Sequence, residues 1–176
     1  MTRAVKIKKY GGTSVASVEH LRSVAQDLVS EHQRGISQLV VVSAMAKTTD
    51  ELMSMALQVT KRPRSRELDM LLTTGEQVSI ALLALAVHDL GANAIALTGA
   101  QCGILTDRNF AHARIQNIDT DKLNRLLDEK YIVIVAGFQG ITTDHEITTL
   151  GRGGSDTTAT ALAAAMQSPV CEIYTD

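Results

Sequence analysis

Short apolar runs of the kind that form buried strands alternate along this chain with longer stretches of helical periodicity, and that alternation constrains the fold most. Strand patterns fall at Val5–Ile7, Gln38–Ser43, Ala94–Leu97, Ile132–Ala136 and Val170–Tyr174. Between them the spacing of apolar residues predicts helices over Val18–His32, Thr49–Val59, Arg66–Leu72, Glu76–Leu90 and Asp156–Met166. A shorter helix follows Ile118-Asp119-Thr120-Asp121, with Leu123, Leu126 and Leu127 on one face. Ser17 is suited to cap the first helix and Gly91 to end the fourth. Such an order argues for an α/β fold around a mostly parallel sheet. Thr60–Ser65 and Thr98–Gln116 read as irregular, the second long enough to be functional or to form a hairpin.

Two glycine-rich segments carry the chemistry. Thr149-Leu150-Gly151-Arg152-Gly153-Gly154-Ser155-Asp156 stands directly before an apolar helical run. Its glycines allow a backbone to approach a ligand closely, and a helix beginning at Ser155 points free N–H groups and the positive end of its dipole forward. Arg152 adds a planar fork for a carboxylate or phosphate. Asp156 is the negative group that could hold a metal or a lysine. The second segment, Lys9-Tyr10-Gly11-Gly12-Thr13-Ser14, lies between the first strand and the first helix. Strand, glycine turn and helix can cradle phosphates through backbone N–H groups. This is not a Walker A loop, because the lysine precedes the glycines. Alone, each segment also has a plain reading, as a tight turn or a helix start.

Taken in order, Lys9 to Ser14, Ser43-Ala44-Met45-Ala46-Lys47-Thr48-Thr49-Asp50, Leu72-Thr73-Thr74-Gly75-Glu76 and Thr149 to Asp156 resemble the amino-terminal part of aspartate kinases, within the amino acid kinase family. Val135-Ala136-Gly137-Phe138-Gln139-Gly140 and Cys171-Glu172-Ile173-Tyr174-Thr175-Asp176 resemble the same family, so the likeness covers essentially the whole chain. It implies a three-layer α/β/α sandwich of the carbamate kinase-like type, here truncated. It also implies phosphorylation of the L-aspartate side chain by ATP and Mg2+, the opening step toward lysine, threonine and methionine. The resemblance makes Lys9 and Asp156 the catalytic pair, with Asp156 orienting Lys9 or organising the magnesium complex. Lys9, Tyr10, Gly11, Gly12, Thr13, Ser14, Thr175 and Asp176 become ATP contacts. Ser43, Thr49, Glu76, Arg152, Gly153, Gly154 and Ser155 become aspartate contacts, Glu76 on the ammonium and Arg152 and Ser155 near the α-carboxylate. One departure stands out: Ala46 occupies a position where many relatives have glycine. If that position needs positive φ, alanine costs about 1 kcal/mol or shifts the loop.

Composition narrows the rest. At 176 residues the chain can bury one good core, and 45% hydrophobic content with 3% aromatics points to Leu, Ala and Val packed in layers. A net charge of −2 gives no general attraction to nucleic acid or anionic membrane. No uncharged run reaches the length of a membrane span, and Lys6, Lys8 and Lys9 interrupt any signal-peptide core. Cys102 and Cys171 form no metal or redox motif and read as two buried thiols in a reducing cytoplasm. Lys6 and Lys8 read as surface residues, Lys61-Arg62-Pro63-Arg64-Ser65-Arg66 as a solvated loop, and the five histidines as unpaired for metal. No protein ligand set for a metal stands out.

Relatives continue beyond the last strand into a nucleotide-binding part and ACT regulatory modules. The chain therefore reads as an amino-terminal, substrate-binding portion whose open sheet edge favours self-association or a missing carboxy-terminal half. The competing reading is a non-catalytic binding or assembly module that needs such a partner.

Overall fold

The computed structural model describes residues 4–175. In chain order its elements begin β1 (Val5–Tyr10), α1 (Val18–Gln33), β2 (Ser37–Val42), α2 (Thr48–Val59), α3 (Ser65–Leu72), α4 (Thr74–Asp89), β3 (Ala94–Leu97) and α5 (Gly99–Cys102). They continue β4 (Ile104–Thr106), β5 (Ile115–Ile118), α6 (Asp121–Asp128), β6 (Ile132–Ala136), β7 (Gln139–Ile141), β8 (Ile147–Thr149), α7 (Gly154–Ala165) and β9 (Val170–Tyr174).

The five strands anticipated from apolar runs form one sheet in the order β3-β6-β2-β1-β9. Every pairing within it is parallel. Successive side chains of a strand point to opposite faces, and here each face has its own core. Val40 and Val42 of β2 join α1 and α4 on one side. Leu39 and Val41 join Leu126 and Leu127 of α6 and Leu162 of α7 on the other. The three-layer sandwich follows directly. Ser17 caps α1 by accepting the His20 N–H, and Gly91 follows α4 with φ 78, as a left-handed helix stop requires.

A second, four-stranded sheet of order β5-β4-β7-β8 was not legible in the sequence. The stretch read as irregular, Thr98–Gln116, contains α5, β4 and the start of β5, and β4 pairs with β5 antiparallel around a bulge. Its strands are three or four residues long, too short for an alternation to register. Only Gly137 and Phe138 separate β6 from β7, so this sheet rises from the carboxyl end of the main one.

Helices α3 and α4 run on almost without a break. The stretch Ser65–Asp89 has the length and mean hydropathy, 1.6, of a membrane span, but half of that window is buried inside the protein. It also carries two buried carboxylates, Asp69 and Glu76. Core packing accounts for its apolar character.

Candidate active site

Parallel strands deliver their carboxyl ends to one edge of the sheet, and ligands of such folds sit beyond that edge. Here β1 ends at Tyr10, β2 at Val42 and β6 at Ala136. A cleft of about 740 Å³ opens past them, lined among others by Lys9, Ser43, Thr49, His112, Phe138, Thr149 and the run Gly151 to Asp156. Eight residues anticipated from sequence line it: Lys9, Ser43, Thr49, Arg152, Gly153, Gly154, Ser155 and Asp156.

Period-two alternation sorts the basic residues of β1. Lys9 faces the cleft, only 6% exposed, with its Nζ 2.7 Å from Asp156 Oδ1. That oxygen is out of line for a hydrogen bond, so the contact is an ion pair. Asp156 lies in the first turn of α7, where the helix dipole favours a carboxylate. Its side chain stays about half exposed. The helix starts at Gly154, one residue before the expected Ser155, because Gly153 takes φ 71 as the capping residue. Gly137 lets the end of β6 touch this helix start: a Cβ there would stand 2.7 Å from Ser155 Oγ.

Lys8 and Tyr10 face the opposite way. Tyr10 is core, stacked on Tyr174 at 4.7 Å between ring centroids. Lys8 is not a surface residue as expected: it is 1% exposed, with Nζ 2.9 Å from Glu31 Oε2. Lys6 bridges Glu31 at 3.2 Å and Glu172 at 2.8 Å. The hydrogen bond to Glu172 raises the Lys6 pKa against the opposing effect of burial. Burial pushes the Glu31 carboxyl up, but Lys8 and Lys6 outweigh it and hold it below its ordinary value. The expected pair of buried thiols is half right, since Cys102 is buried and Cys171 partly exposed.

The turn after β1 is clasped from two sides. Gly11 N–H donates to the Tyr174 carbonyl at 3.1 Å, and Ser14 Oγ to the same carbonyl at 3.4 Å. Ala46 N–H donates to the Gly12 carbonyl at 3.0 Å. A Cβ on Gly12 would stand 2.9 Å from the Ala44 carbonyl oxygen, so glycine is required by close approach. Ala46 itself has φ 43, the left-handed region suspected from its place in the motif. Gly11, Gly12, Thr13 and Ser14, expected as ATP contacts, are not among the residues that line the cleft; Thr175 directly follows β9, and Asp176 lies outside the described residues.

Glu76 sits in the first turn of α4, 3% exposed and not among the residues that line the cleft. Its Oε1 accepts the Ala44 N–H at 3.3 Å, while Oε2 is buried with no hydrogen-bond partner. Burial raises its pKa from 4.5 to about 7, against backbone hydrogen bonds at Glu76 and Ala44. A buried carboxylate oxygen without a donor is costly and calls for a cation or hydrogen-bond donor. Arg152 is exposed at the cleft mouth, its guanidinium unpaired among the described residues.

Sequence reasoning missed Asp69, wholly buried on α3 and bonded to Thr149 and Ala111. The signal was a carboxylate three residues before Leu72 on the buried stripe of its helix. The basic run at 61–66 is not all solvated loop. Arg66, the second residue of α3, pairs with Glu146 at 2.7 Å and Glu67 at 3.0 Å, tying that helix to the β7–β8 turn. His20 bonds Ser17 Oγ and His88 the Ala94 carbonyl, each at 2.9 Å. Among the described residues no three His, Cys, Asp or Glu side chains gather as a metal site.

Residues 4–176 match the family model described as the amino acid kinase family. The aspartokinase of Geobacillus stearothermophilus is 59% identical over 170 residues, which are 97% of this chain and 42% of that protein. Aspartokinase 2 of Bacillus subtilis is 55% identical over 97% of this chain and 42% of its own length. The chain thus spans about two-fifths of these relatives. A crystal structure of aspartate kinase from Synechocystis superposes with a TM-score of 0.83 at 53% identity, covering 98% of this chain and 28% of that one.

Proposed function

The chain belongs to the amino acid kinase family, and from that premise we propose that it forms the acceptor-binding part of an aspartate kinase. The observation that carries the proposal is the placement, in one cleft, of the Lys9–Asp156 ion pair and the Gly151–Ser155 turn; the buried Glu76, with one partnerless oxygen, holds Ala44 next to Ser43 of that cleft.

The reaction joins two anions. A side-chain carboxylate oxygen of L-aspartate attacks the γ-phosphorus of ATP, the bond to the β–γ bridging oxygen breaks, and ADP leaves with that electron pair. The product is 4-phospho-L-aspartate, and no proton need move at the reacting atoms. Catalysis of such a transfer is positioning plus charge stabilisation. Lys9 supplies the cation at the transferring phosphoryl, held by Asp156 in a direction that a free lysine would not keep. Gly11, Gly12, Thr13 and Ser14 offer backbone and hydroxyl donors to the ATP phosphates, and Thr175 and Asp176 are assigned to ATP by the resemblance alone. Glu76 takes the ammonium of aspartate, which would give its buried Oε2 the donor it lacks. Arg152 takes the α-carboxylate, with Ser155 and the N–H groups of Gly153 and Gly154, while Ser43 and Thr49 supply hydroxyls. The half-exposed Asp156 carboxylate suits Mg2+, which binds proteins through few carboxylates and mostly through phosphate and water. Mg2+ would neutralise charge on the phosphates. We place the reaction in the cytoplasm, as the entry to lysine, threonine and methionine synthesis.

A second reading has one supporting observation. Strand β9 is a sheet edge with Val170, Ile173 and Tyr174 each about two-fifths exposed, a surface suited to further protein. On that reading these residues bind aspartate but need a partner half to hold ATP. Trapping the acyl phosphate with hydroxylamine separates the two. Hydroxamate formed by residues 1–176 with MgATP and L-aspartate, above a Lys9→Ala control, supports autonomous catalysis. Activity only with the downstream half supports the divided site. No activity in either case, or equal activity from Lys9→Ala, sinks the mechanism.

A further inference from the structure

Asp69 on α3 is 0% exposed, and none of the roles above uses it. Its carboxylate accepts from three neutral donors. Thr149 Oγ1 donates to Oδ1 and Thr149 N–H to Oδ2, both at 2.9 Å. Ala111 N–H lies 2.9 Å from Oδ2 and 3.1 Å from Oδ1. The two segments it holds are also joined to each other, since Ala113 N–H donates to the Thr149 carbonyl at 2.9 Å. Two residues further on, Gly151 packs so tightly on them that a Cβ would stand 2.9 Å from His112 Nδ1 and 3.1 Å from the Ala111 oxygen. One buried carboxylate therefore clasps residues 111–113 to residues 149–151, and together these make the cleft wall that leads into Arg152.

The choice of side chain is restrictive. Burying a carboxylate is unfavourable unless donors satisfy both oxygens, and here they do. Asparagine has the same shape, but its NH2 must take the Oδ1 position, where the Thr149 hydroxyl has to reverse and accept and the longer Ala111 contact is lost, and the charge that strengthens the remaining bonds is gone. Alanine leaves three donors unpaired. Asp69 and Glu76 are also seven residues apart on the near-continuous α3–α4 stretch, hence on one face. The same helical face thus holds Ala44, next to Ser43 of the cleft, through Glu76 and the cleft wall through Asp69.

We propose that Asp69 is a positioning residue for the acceptor: through Thr149 and Ala111 it fixes the 149–152 turn, and so the direction from which Arg152 meets the acceptor's carboxylate. This rests on the acceptor-binding reading given above. The test compares Asp69→Asn and Thr149→Val with wild type in the full-length protein, by local amide hydrogen exchange and by steady-state kinetics with hydroxylamine trapping. In Asp69→Asn, exchange across residues 111–113 and 149–154 should quicken at least about tenfold while α1 and β2 keep their protection. The KM for aspartate should rise about tenfold or more, with the KM for ATP within about twofold. Unchanged local exchange overturns the proposal, as does an equal rise in both KM values. A wild-type protein giving no aspartyl hydroxamate would instead strike the acceptor assignment, and the exchange data would still decide the clasp. If Asp69→Asn does not fold, Thr149→Val removes only the hydroxyl bond and should give the same pattern at about threefold; no change there overturns the proposal equally.

Discussion

Glu76→Gln is the substitution whose consequence can be worked furthest. Burial lifts the Glu76 carboxyl from 4.5 to about 7. Below pH 4.5 the folded and unfolded chains both hold the proton, and the group adds no pH dependence. From there up to about pH 7 the unfolded chain releases its proton and the folded chain keeps it. The unfolded state then binds fewer protons, so stability falls as pH rises, and it levels off once the folded carboxyl also ionises. At about 1.4 kcal/mol for each pH unit, the loss between pH 5 and pH 8 comes to roughly 2.5 kcal/mol. Glutamine keeps the shape and can still accept the Ala44 N–H, but it does not titrate. Its NH2 group meets the spot where Oε2 has no partner, at a pH-independent cost of about 1–3 kcal/mol. Urea unfolding at a series of pH values checks this. The stability of Glu76→Gln minus that of wild type should climb by about 2.5 kcal/mol from pH 5 to pH 8, whatever its absolute sign. A flat difference would refute the buried, titrating carboxyl. The proposed ligand adds a second reading on the same group. An ammonium beside Glu76 favours the charged form, so aspartate binding near pH 6.5 should release a proton, seen as a buffer-dependent heat of binding. No dependence on buffer would remove the ammonium contact.

Other substitutions test single features. Lys9→Ala in the full-length protein should lower turnover by about two orders of magnitude or more, as loss of an electrostatic donor does, and leave folding intact. Near-normal hydroxamate formation would take Lys9 out of the reaction. Ala46→Gly relieves a left-handed φ of 43 and should raise stability by about 0.5 kcal/mol, after the flexibility glycine adds to the unfolded chain. Calorimetry should show a Tm higher by about 1–2 °C, and a lower Tm would contradict the strain. Gly137→Ala places a methyl 2.7 Å from Ser155 Oγ and should weaken aspartate binding with it; an unchanged KM would mean that the start of α7 yields freely.

How far the sequence carried the fold depended on element length. The five strands of the main sheet each announce themselves by a β-branched or aliphatic run, and the helices between them, apart from the four-residue α5, by the spacing of their apolar residues. The second sheet has strands of three or four residues, held by long-range partners that no local pattern encodes. The lining of the cleft was legible at Lys9 and at Arg152–Asp156, where several polar or glycine residues stand together, while Gly11 to Ser14 do not line it. Asp69 and Lys8 were not, because their meaning comes from what lies opposite. Thr149 is far along the chain from Asp69, and Glu31 reaches Lys8 from a different element. Ala46 is intermediate: the motif flagged the position, and only the backbone fixed its φ.

The three lysines of β1 show how one strand can separate a buried charge network from a charge that faces a cleft. Lys6 and Lys8 share Glu31, and Lys6 reaches Glu172 as well, on the face shared with α1. Lys8 and Glu31 are both largely buried there, so breaking that pair by removing one partner leaves an uncompensated charge. Lys9 points the other way and has a different kind of partner. Asp156 is about half exposed, at the first turn of α7 beside helix N–H groups that also stabilise its charge. On the proposed mechanism, an arriving phosphate would meet a lysine whose counter-ion has water and a helix terminus to fall back on. Shifting the register of β1 by one residue would exchange these roles, placing Lys8 in the cleft and Lys9 against Glu31. The parallel pairing of Lys9 with Val41 and Ile173 is what prevents that exchange, so the sheet register itself selects which lysine faces the cleft.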